Sequence, residues 1–323
     1  MHHDFSLSLR SKSAKRAIVI GAVALLAFYV VIPNIHVFGI DIHTAIPKNI
    51  GLYLLAFATF VVTFISSSLS YWFLALKKVK VGQILLVQYA SVPLNLLLPA
   101  GIGNIGINYL YLRGRGHDPA TSGVIAGVNN VLGIAGNISL LIVLAAVFGI
   151  NAKVIGIYAD HTTVLLVILA ILIVIAAAVV WFFFSRMRFA RQVRRSLIGA
   201  LKQYRKHPLK PLASYCCGLL QATMTAVTFY IVLNAYGIHL NFPLTFMIFS
   251  LGVLVGAITP TPGGIGGVEA SLTAGIVAAH GADTGMALAA VLAYRVVSYW
   301  LPVALGVLAL GLVQHLHLIS WHK

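Results

Sequence analysis

Long apolar runs recur along this chain, and they leave few folds open to it. A transmembrane helix needs about 20 mostly apolar residues, and the 323-residue sequence holds several such runs. Hydrophobic residues make up 60% of it and charged residues only 9%, whereas soluble domains carry roughly a quarter charged residues. The sequence therefore predicts an all-α polytopic membrane protein, with residues 1–323 forming a single integral-membrane domain.

Uninterrupted apolar runs predict six full transmembrane helices. They cover residues 17–39, 50–76, 119–150, 162–184, 211–236 and 285–313. Two further apolar regions, 81–112 and 244–280, are each broken in the middle by proline and glycine. Because no small-residue cleavage site follows the first run, we interpret it as a retained span rather than a removed signal peptide.

The basic residues predict how the first broken region crosses the bilayer. If 81–112 dips in and returns, all 22 Lys and Arg except Lys48, Lys153 and Arg295 lie on one side. Without that return, the nine basic residues of segment 186–210 would lie outside, against the positive-inside rule. We therefore expect a re-entrant hairpin there and both termini in the cytoplasm. This asymmetry explains the net charge of +16 without a nucleic-acid partner.

Segment 186–210 has two interpretations. It is a determinant of topology, or it lies on the membrane surface and attracts anionic lipid.

The two broken regions align as copies of one unit. Each copy has a span, a broken hairpin and a second span, over about 50–150 and 211–313. Span 162–184 and the basic cytoplasmic segment 186–210 link them. By the predicted topology the hairpins enter from opposite faces, as in the inverted repeats of transporters, whose ligand sites lie near the bilayer midplane. The matched residues are Pro99 with Pro262, Gly101 with Gly264, Gly103 with Gly266 and, allowing two extra residues, Asn130 with Arg295.

The second break, ITPTPGGIGGVEAS at 258–271, holds the only glutamate of the chain, Glu269. Irregular backbone at membrane depth must be buried in protein or line a water-filled cavity, so we expect a polar cavity between the hairpins. The helix that starts after the break directs N–H groups into that cavity, and such helix ends attract anions. Glycine lets the backbone approach a ligand closely. The pattern predicts binding of an anionic lipid headgroup.

Arg295 is the only basic residue inside a predicted span, where a charge is costly unless it is paired or hydrated. We therefore expect Glu269 and Arg295 to approach each other. Two interpretations stay open: handling of substrate or protons, and a salt bridge that only ties the hairpin to the next span. The substrate-binding candidates are Glu269, Arg295, Pro262, Gly263, Gly264, Gly266, Asn104, Asn130, Pro99, Gly101 and Gly103.

The motifs PTPGGIGGVEASL (260–272) and AYRVVSYWLP (293–302) resemble the lysylphosphatidylglycerol synthase transmembrane family, and the resemblance extends from about Leu52 to Leu312. It implies a flippase-like, lipid-handling membrane domain. In bifunctional members of that family, such a domain moves aminoacylated phosphatidylglycerol between leaflets, and a separate soluble domain makes the lipid. In the first repeat the family has an acid and then a charged pair, where this chain has Asn104 and Asn129–Asn130. The family pattern is matched at Pro262, Gly263, Gly264, Gly266, Glu269 and Arg295.

These observations predict a lipid translocase of a bacterial or archaeal plasma membrane. Its substrate would be an anionic phospholipid or a polyprenyl-linked lipid. The first alternative is a scaffold that transports nothing and holds a membrane-bound lipid-modifying enzyme of envelope-lipid or glycolipid synthesis. The weakest is an embedded enzyme acting on a headgroup, since no HExxH motif, CxxC pair or second carboxylate near Glu269 predicts a catalytic or metal site. We expect no cofactor, no aminoacyl transfer without a synthase domain, and no ATP drive without a P-loop.

Overall fold

The computed structural model describes residues 46–97, 102–148, 188–259 and 261–319, and these residues form helices joined by turns. The predicted spans 17–39 and 162–184, and the candidate residues Pro99 and Gly101, lie outside the described residues. The α-helices are α1 Ile50–Leu74, α2 Val81–Leu97, α3 Ile102–Gly114, α4 Pro119–Phe148, α5 Arg188–Lys206, α6 Leu209–Ala235, α7 Phe242–Ile258, α8 Gly267–His280, α9 Thr284–Arg295 and α10 Leu301–His315. A 3-10 turn, Pro262–Gly264, precedes α8, and a π-helical turn, Val296–Trp300, joins α9 to α10.

Among the described helices, four are long and apolar enough to cross a bilayer. They are Ile50–Leu74, Pro119–Leu144, Leu209–Ala235 and the combined helix Thr284–His315. Each overlaps one of the predicted spans, so the chain is an all-helical membrane-integral protein in the part that the structure describes. The count of six spans and two re-entrant hairpins stays a prediction, since two of those spans fall outside the described ranges.

Buried apolar side chains form two core clusters. We name them the Phe229 cluster, built from α1, α6, α7, α8 and α9, and the Tyr71 cluster, built from α1, α2, α3, α4, α5 and α10. Helix α1 contributes Ala56 to the first and Tyr71 to the second. These two residues are about 22 Å apart along a helix that rises 1.5 Å per residue. The clusters therefore lie toward opposite ends of the bundle.

The two hairpins belong to different clusters and so to different ends. Hairpin α2–α3 lies in the Tyr71 cluster, where His117 Nε2 accepts hydrogen bonds from the amides of Leu76 (3.2 Å) and Lys77 (3.1 Å). The chain thus enters and leaves this hairpin at one end, in agreement with the predicted return of region 81–112. Hairpin α7–α8 lies in the Phe229 cluster, which includes Leu240 before it and Ala282 after it. Entry from opposite ends is the arrangement that an inverted repeat requires.

Short polar side chains fix where several helices start. Asn49 Oδ1 accepts from the Leu52 amide at the start of α1 (3.1 Å), and Asn241 Oδ1 accepts from Leu244 at the start of α7 (2.9 Å). Asp283 caps α9 in the same way. Such caps satisfy amide groups that have no partner within the helix, so they place the turns between the apolar segments.

Candidate functional site

The backbone between α7 and α8 turns back on itself through three glycines with positive φ angles. Gly263, Gly264 and Gly266 have φ angles of 66°, 67° and 88°, a region that strains residues with a Cβ atom. Space is limiting as well, since a Cβ on Gly264 would lie 2.8 Å from the Gly256 Cα. The Pro-Gly-Gly-x-Gly sequence therefore encodes a sharp, closely packed break at this point.

Glu269 lies in the first turn of α8 and caps the start of that helix. The Gly266 amide donates to its Oε2 at 2.7 Å, which caps an amide group at the start of the helix. A carboxylate in the first turn is also favoured by the helix dipole. Only 15% of the side chain is exposed, so the acid faces protein rather than the surroundings of the bundle.

Arg295, the last residue of α9, forms a direct ion pair with Glu269. Its Nε donates to Glu269 Oε1 at 2.6 Å, and its Nη2 donates to the Gly263 carbonyl at 3.2 Å. The arginine side chain is 9% exposed. The predicted approach of these two residues is confirmed, and the arginine also holds the backbone of the break. Whether they bind substrate stays a prediction.

Tyr299 completes this group, although it was not among the candidates predicted from the sequence. Its ring centroid lies 4.3 Å from the guanidinium carbon of Arg295, within cation–π range. Its hydroxyl is enclosed, has no hydrogen-bond partner among the described residues, and would lie 2.1 Å from a Cβ on Gly263. Tyr299 stands in the π-helical turn, a feature found frequently at functional sites. Its spacing of four residues from Arg295 was a usable signal, because such residues share a helix face.

Amide side chains of the first hairpin form a hydrogen-bond network of their own. The Asn104 amide donates to Asn95 Oδ1 at 2.8 Å, and Asn108 Nδ2 donates to the carbonyl oxygen of Asn104 at 2.9 Å. Gln88 Nε2 then donates to Asn108 Oδ1 at 3.1 Å. This network joins α2 to α3. Close packing supports it, because a Cβ on Gly103 would lie 2.5 Å from the Leu94 carbonyl carbon.

Asn130, the repeat counterpart of Arg295, bonds within its own helix. Its Nδ2 donates to the Ala126 carbonyl of α4 at 3.0 Å. None of the hydrogen bonds described for Asn104 or Asn130 reaches Glu269 or Arg295. The structure therefore brings together the candidates of the second break and leaves Asn104 and Asn130 as separate, locally bonded positions.

The second break also touches the first hairpin. The 3-10 turn Pro262–Gly264 packs against α2, and α2 packs along α10. At that second contact Gly306 approaches Tyr89 and Pro93 so closely that a Cβ would lie 2.5 Å from the Tyr89 carbonyl oxygen. The ion pair is thus placed where the second hairpin, the first hairpin and a long span meet.

Metal-binding side chains are not grouped in this way. Among the described residues, no group of three His, Cys, Asp or Glu side chains is placed to hold a metal ion.

The described part of the chain is therefore a membrane-integral protein with span-length apolar helices and a largely buried ion pair at a Pro-Gly break. The model of the lysylphosphatidylglycerol synthase transmembrane region matches residues 16–306. The chain belongs to this family. Membership indicates a role connected with membrane lipids, and it is consistent with a chain that is not itself an enzyme.

Two relatives match shorter segments. The UPF0104 membrane protein of Methanothermobacter thermautotrophicus is 34% identical over 92 residues, which cover 28% of this chain and 27% of that protein. An uncharacterized protein of Synechocystis sp. is 33% identical over 115 residues, which cover 32% of this chain and 35% of that protein. The chain thus matches about a third of the length of these relatives or less.

Proposed function

We propose that this chain is a flippase-like lipid transporter of a prokaryotic plasma membrane. It binds the anionic headgroup of a phospholipid or polyprenyl-linked lipid in a cavity between the two hairpins. The observation that carries the proposal is the buried Glu269–Arg295 pair at the second break, at a point where both hairpins are in contact. A buried ion pair is weak evidence for stability, and ionisable residues within the membrane mark substrate and ion pathways.

The arginine has donors to spare for such a headgroup. A guanidinium carries five N–H groups, and the described hydrogen bonds use Nε and one N–H of Nη2. Arginine binds phosphate oxygens in a two-pronged geometry. The left-handed Gly263, Gly264 and Gly266, which follow Pro262, allow the backbone to approach the same oxygens. In this proposal, Gly103, Asn104 and Asn130 of the first repeat form the opposite wall, while the candidates Pro99 and Gly101 lie outside the described residues.

The charge distribution supports a cytoplasmic position for the Tyr71 end. Tyr204 of the basic helix α5 donates from its hydroxyl to the Leu74 carbonyl at 2.7 Å, and Lys77 Nζ bonds the Gly116 carbonyl. Basic segments 77–80, 113–115 and 202–210 therefore gather at this end, whereas Lys48 approaches Gly237 at the other. By the positive-inside rule, we propose that this end faces the cytoplasm and keep the sequence-based prediction that both termini lie on that side.

Lipid movement in vesicles tests the proposal. Purified protein is reconstituted into liposomes, and the transfer of a fluorescent phosphatidylglycerol analogue between leaflets is followed for wild type, Glu269→Gln and Arg295→Ala. We expect transfer by wild type and a loss of at least about tenfold in both variants, because a buried charge left without its partner is strongly disfavoured. Leu308→Ala is the matched control, since Leu308 on α10 is 67% exposed.

Two outcomes would contradict this role. Normal transfer in both site variants, at equal amounts of reconstituted protein, leaves the pair with a structural role only. Absence of transfer by wild type, together with co-purification of an envelope-lipid enzyme, supports the scaffold instead.

A further inference from the structure

The charge balance of the site leads to an inference that rests on the proposed function. We propose that Glu269 takes up one proton when an anionic headgroup binds to Arg295, so that the chain moves lipid and proton together. Lipid translocation would then be an electroneutral symport, driven by a pH gradient and insensitive to membrane voltage.

In the described part of the chain, the ion pair is isolated from other charged side chains. Glu269 and Arg295 neutralise each other through the 2.6 Å contact. Helices α1, α2, α7, α8, α9 and α10, with the turns between α7 and α8 and between α9 and α10, carry no other Asp, Glu, Lys or Arg. The other titratable groups on these helices are Tyr53, Tyr71, Tyr89, Tyr294 and Tyr299, with His280 and His315 at helix ends. Helix α6 also packs against α7 and α9, and it carries Lys210 in its first turn and Tyr215, Cys216, Cys217 and Tyr230 further along. With Glu269 ionised and Arg295 protonated, the pair therefore has no net charge.

A headgroup phosphodiester would change this balance. It brings one negative charge to a site whose only cation already has a carboxylate partner. An unbalanced charge at membrane depth is costly, so headgroup binding and an ionised Glu269 oppose each other. Protonation of the carboxylate removes the excess charge, and the arginine is then free to pair with the headgroup.

The hydrogen bonds of Glu269 allow the headgroup to replace the carboxylate as the partner of Arg295. One oxygen, Oε1, meets the Arg295 Nε, while the other, Oε2, accepts from the Gly266 amide. A proton on Oε1 weakens the bond to the arginine and leaves the cap of α8 in place. The freed Nε and the spare Nη donors can then hold two phosphate oxygens. By linkage, the proton and the headgroup each raise the affinity of the site for the other.

The proton balance is complete within the site. Glu269 takes its proton from water on the side to which the site is open when the headgroup binds. It returns the proton to water on the opposite side when the headgroup leaves, and Glu269 pairs with Arg295 again. One positive and one negative charge cross together, so no net charge moves.

Wild-type protein alone tests the inference. Liposomes carry a fluorescent, acyl-labelled phosphatidylglycerol, an internal pH dye and either a pH gradient at clamped zero voltage or a voltage without a pH gradient. We expect a gradient of about one pH unit to support up to about a tenfold lipid asymmetry at equilibrium, because one pH unit corresponds to a tenfold change in proton activity. Voltage alone should have no effect, and acid should enter with the lipid.

The two negative results distinguish a wrong inference from a wrong proposed function. If wild type moves no lipid under any condition, the proposed function itself is wrong. If it moves phosphatidylglycerol without responding to the pH gradient, or in response to voltage alone, the inference is wrong and the proposed function survives.

A pair of variants sharpens the result. Glu269→Asp retains a titratable group and should keep the pH response, whereas Glu269→Gln should lose it, with any remaining transfer independent of the gradient. A persistent pH response in Glu269→Gln would overturn the assignment to this residue. Should Glu269→Gln not fold, the proton measurement on wild type still decides.

Discussion

At the scale of single residues, Arg295 holds three parts of the site together. Its guanidinium bonds α8 through Glu269 and bonds the break through the Gly263 carbonyl, and the Tyr299 ring packs on it. Because Arg295 is buried and the Glu269 side chain is only 15% exposed, their energetics should follow the rule for buried ion pairs. Removal of one partner is much worse than replacement of both.

A double substitution tests that rule. Arg295→Met leaves a buried carboxylate unpaired and should destabilise the protein by about 3–5 kcal/mol. Adding Glu269→Gln should recover most of this loss, since no buried charge then remains. Thermal unfolding in detergent measures both variants, and a double variant no more stable than Arg295→Met would contradict a buried pair.

Tyr299 offers a finer test of the same site. Tyr299→Phe removes an enclosed hydroxyl that has no partner among the described residues and keeps the ring over the arginine. We expect unchanged or slightly higher thermal stability, because an unsatisfied buried hydroxyl costs free energy. Tyr299→Leu should lose about 1 kcal/mol or more with the cation–π contact. If both variants behave alike, the ring contact is not stabilising.

His117 should make the stability of the Tyr71 end sensitive to pH. Burial lowers the pKa of His117 below its ordinary value, against the opposing effect of its hydrogen bond to the Leu112 carbonyl. Because the folded-state pKa is lowered, the unfolded chain binds more protons than the folded chain at mildly acidic pH. The contribution of neutral His117 to the free energy of unfolding is therefore complete above about pH 6.5. It is lost as the pH falls from there toward the folded-state pKa. Thermal stability should therefore decline on acidification below about pH 6.5.

His117→Gln should flatten this decline. Its amide oxygen can accept from the Leu76 and Lys77 amides, as Nε2 does now, and it does not titrate. The matched control is His239→Gln, which changes an exposed histidine at the other end. A decline that is equally steep in His117→Gln would assign the acid sensitivity to another group.

At the scale of elements, two glycines of α10 differ in what surrounds them. A Cβ on Gly306 would meet the Tyr89 carbonyl oxygen at 2.5 Å and the Pro93 ring at 2.6 Å, whereas Gly311 has nothing within 4 Å. The contact between α10 and α2 therefore depends on the absence of a side chain at one position of the helix and not at the other.

Alanine at each position separates packing from helix propensity. Gly306→Ala should destabilise the protein by about 1–3 kcal/mol through overpacking. Gly311→Ala should leave stability unchanged or raise it by up to about 1 kcal/mol, because alanine is the better helix former. Unfolding temperatures in detergent provide the measurement, and equal effects would contradict the close approach of α10 to α2.

At the scale of the whole molecule, the hairpins enter from opposite ends of the bundle. Asn49 donates from its amide to the Ala235 carbonyl at 3.0 Å at one end, and His117 joins the loops around hairpin α2–α3 at the other. A returning first hairpin keeps the basic loops on one side of the membrane, which a single crossing would not.

Cysteine labelling tests this topology. After replacement of Cys216 and Cys217 by serine, single cysteines are placed at the exposed positions Lys78, Asp118, His239 and Thr284. We expect the first two to react from the cytoplasmic side and the last two from the outside. Labelling of positions 78 and 118 from different sides would show that region 81–112 crosses the bilayer, against the inverted repeat.

The sequence by itself determined where helices form and which charges meet. Apolar runs of span length predicted α1, α4, α6 and the α9–α10 helix, and the Gly-Pro motif predicted the break before α8. The pairing of Glu269 with Arg295 was predictable too, because a lone acid and a lone base in an apolar bundle have only each other.

Only the tertiary structure decided which surfaces touch. The position of Tyr299 over the guanidinium depends on a π-helical turn, and the fit of Gly306 depends on helix α2, more than 200 residues away in sequence. Hydrophobic periodicity marks a face of a helix but not its partner, and apolar spans are uniform around their circumference. Contacts between such helices are set by the shape of small residues and by single hydrogen bonds, which become specific only when the segments meet.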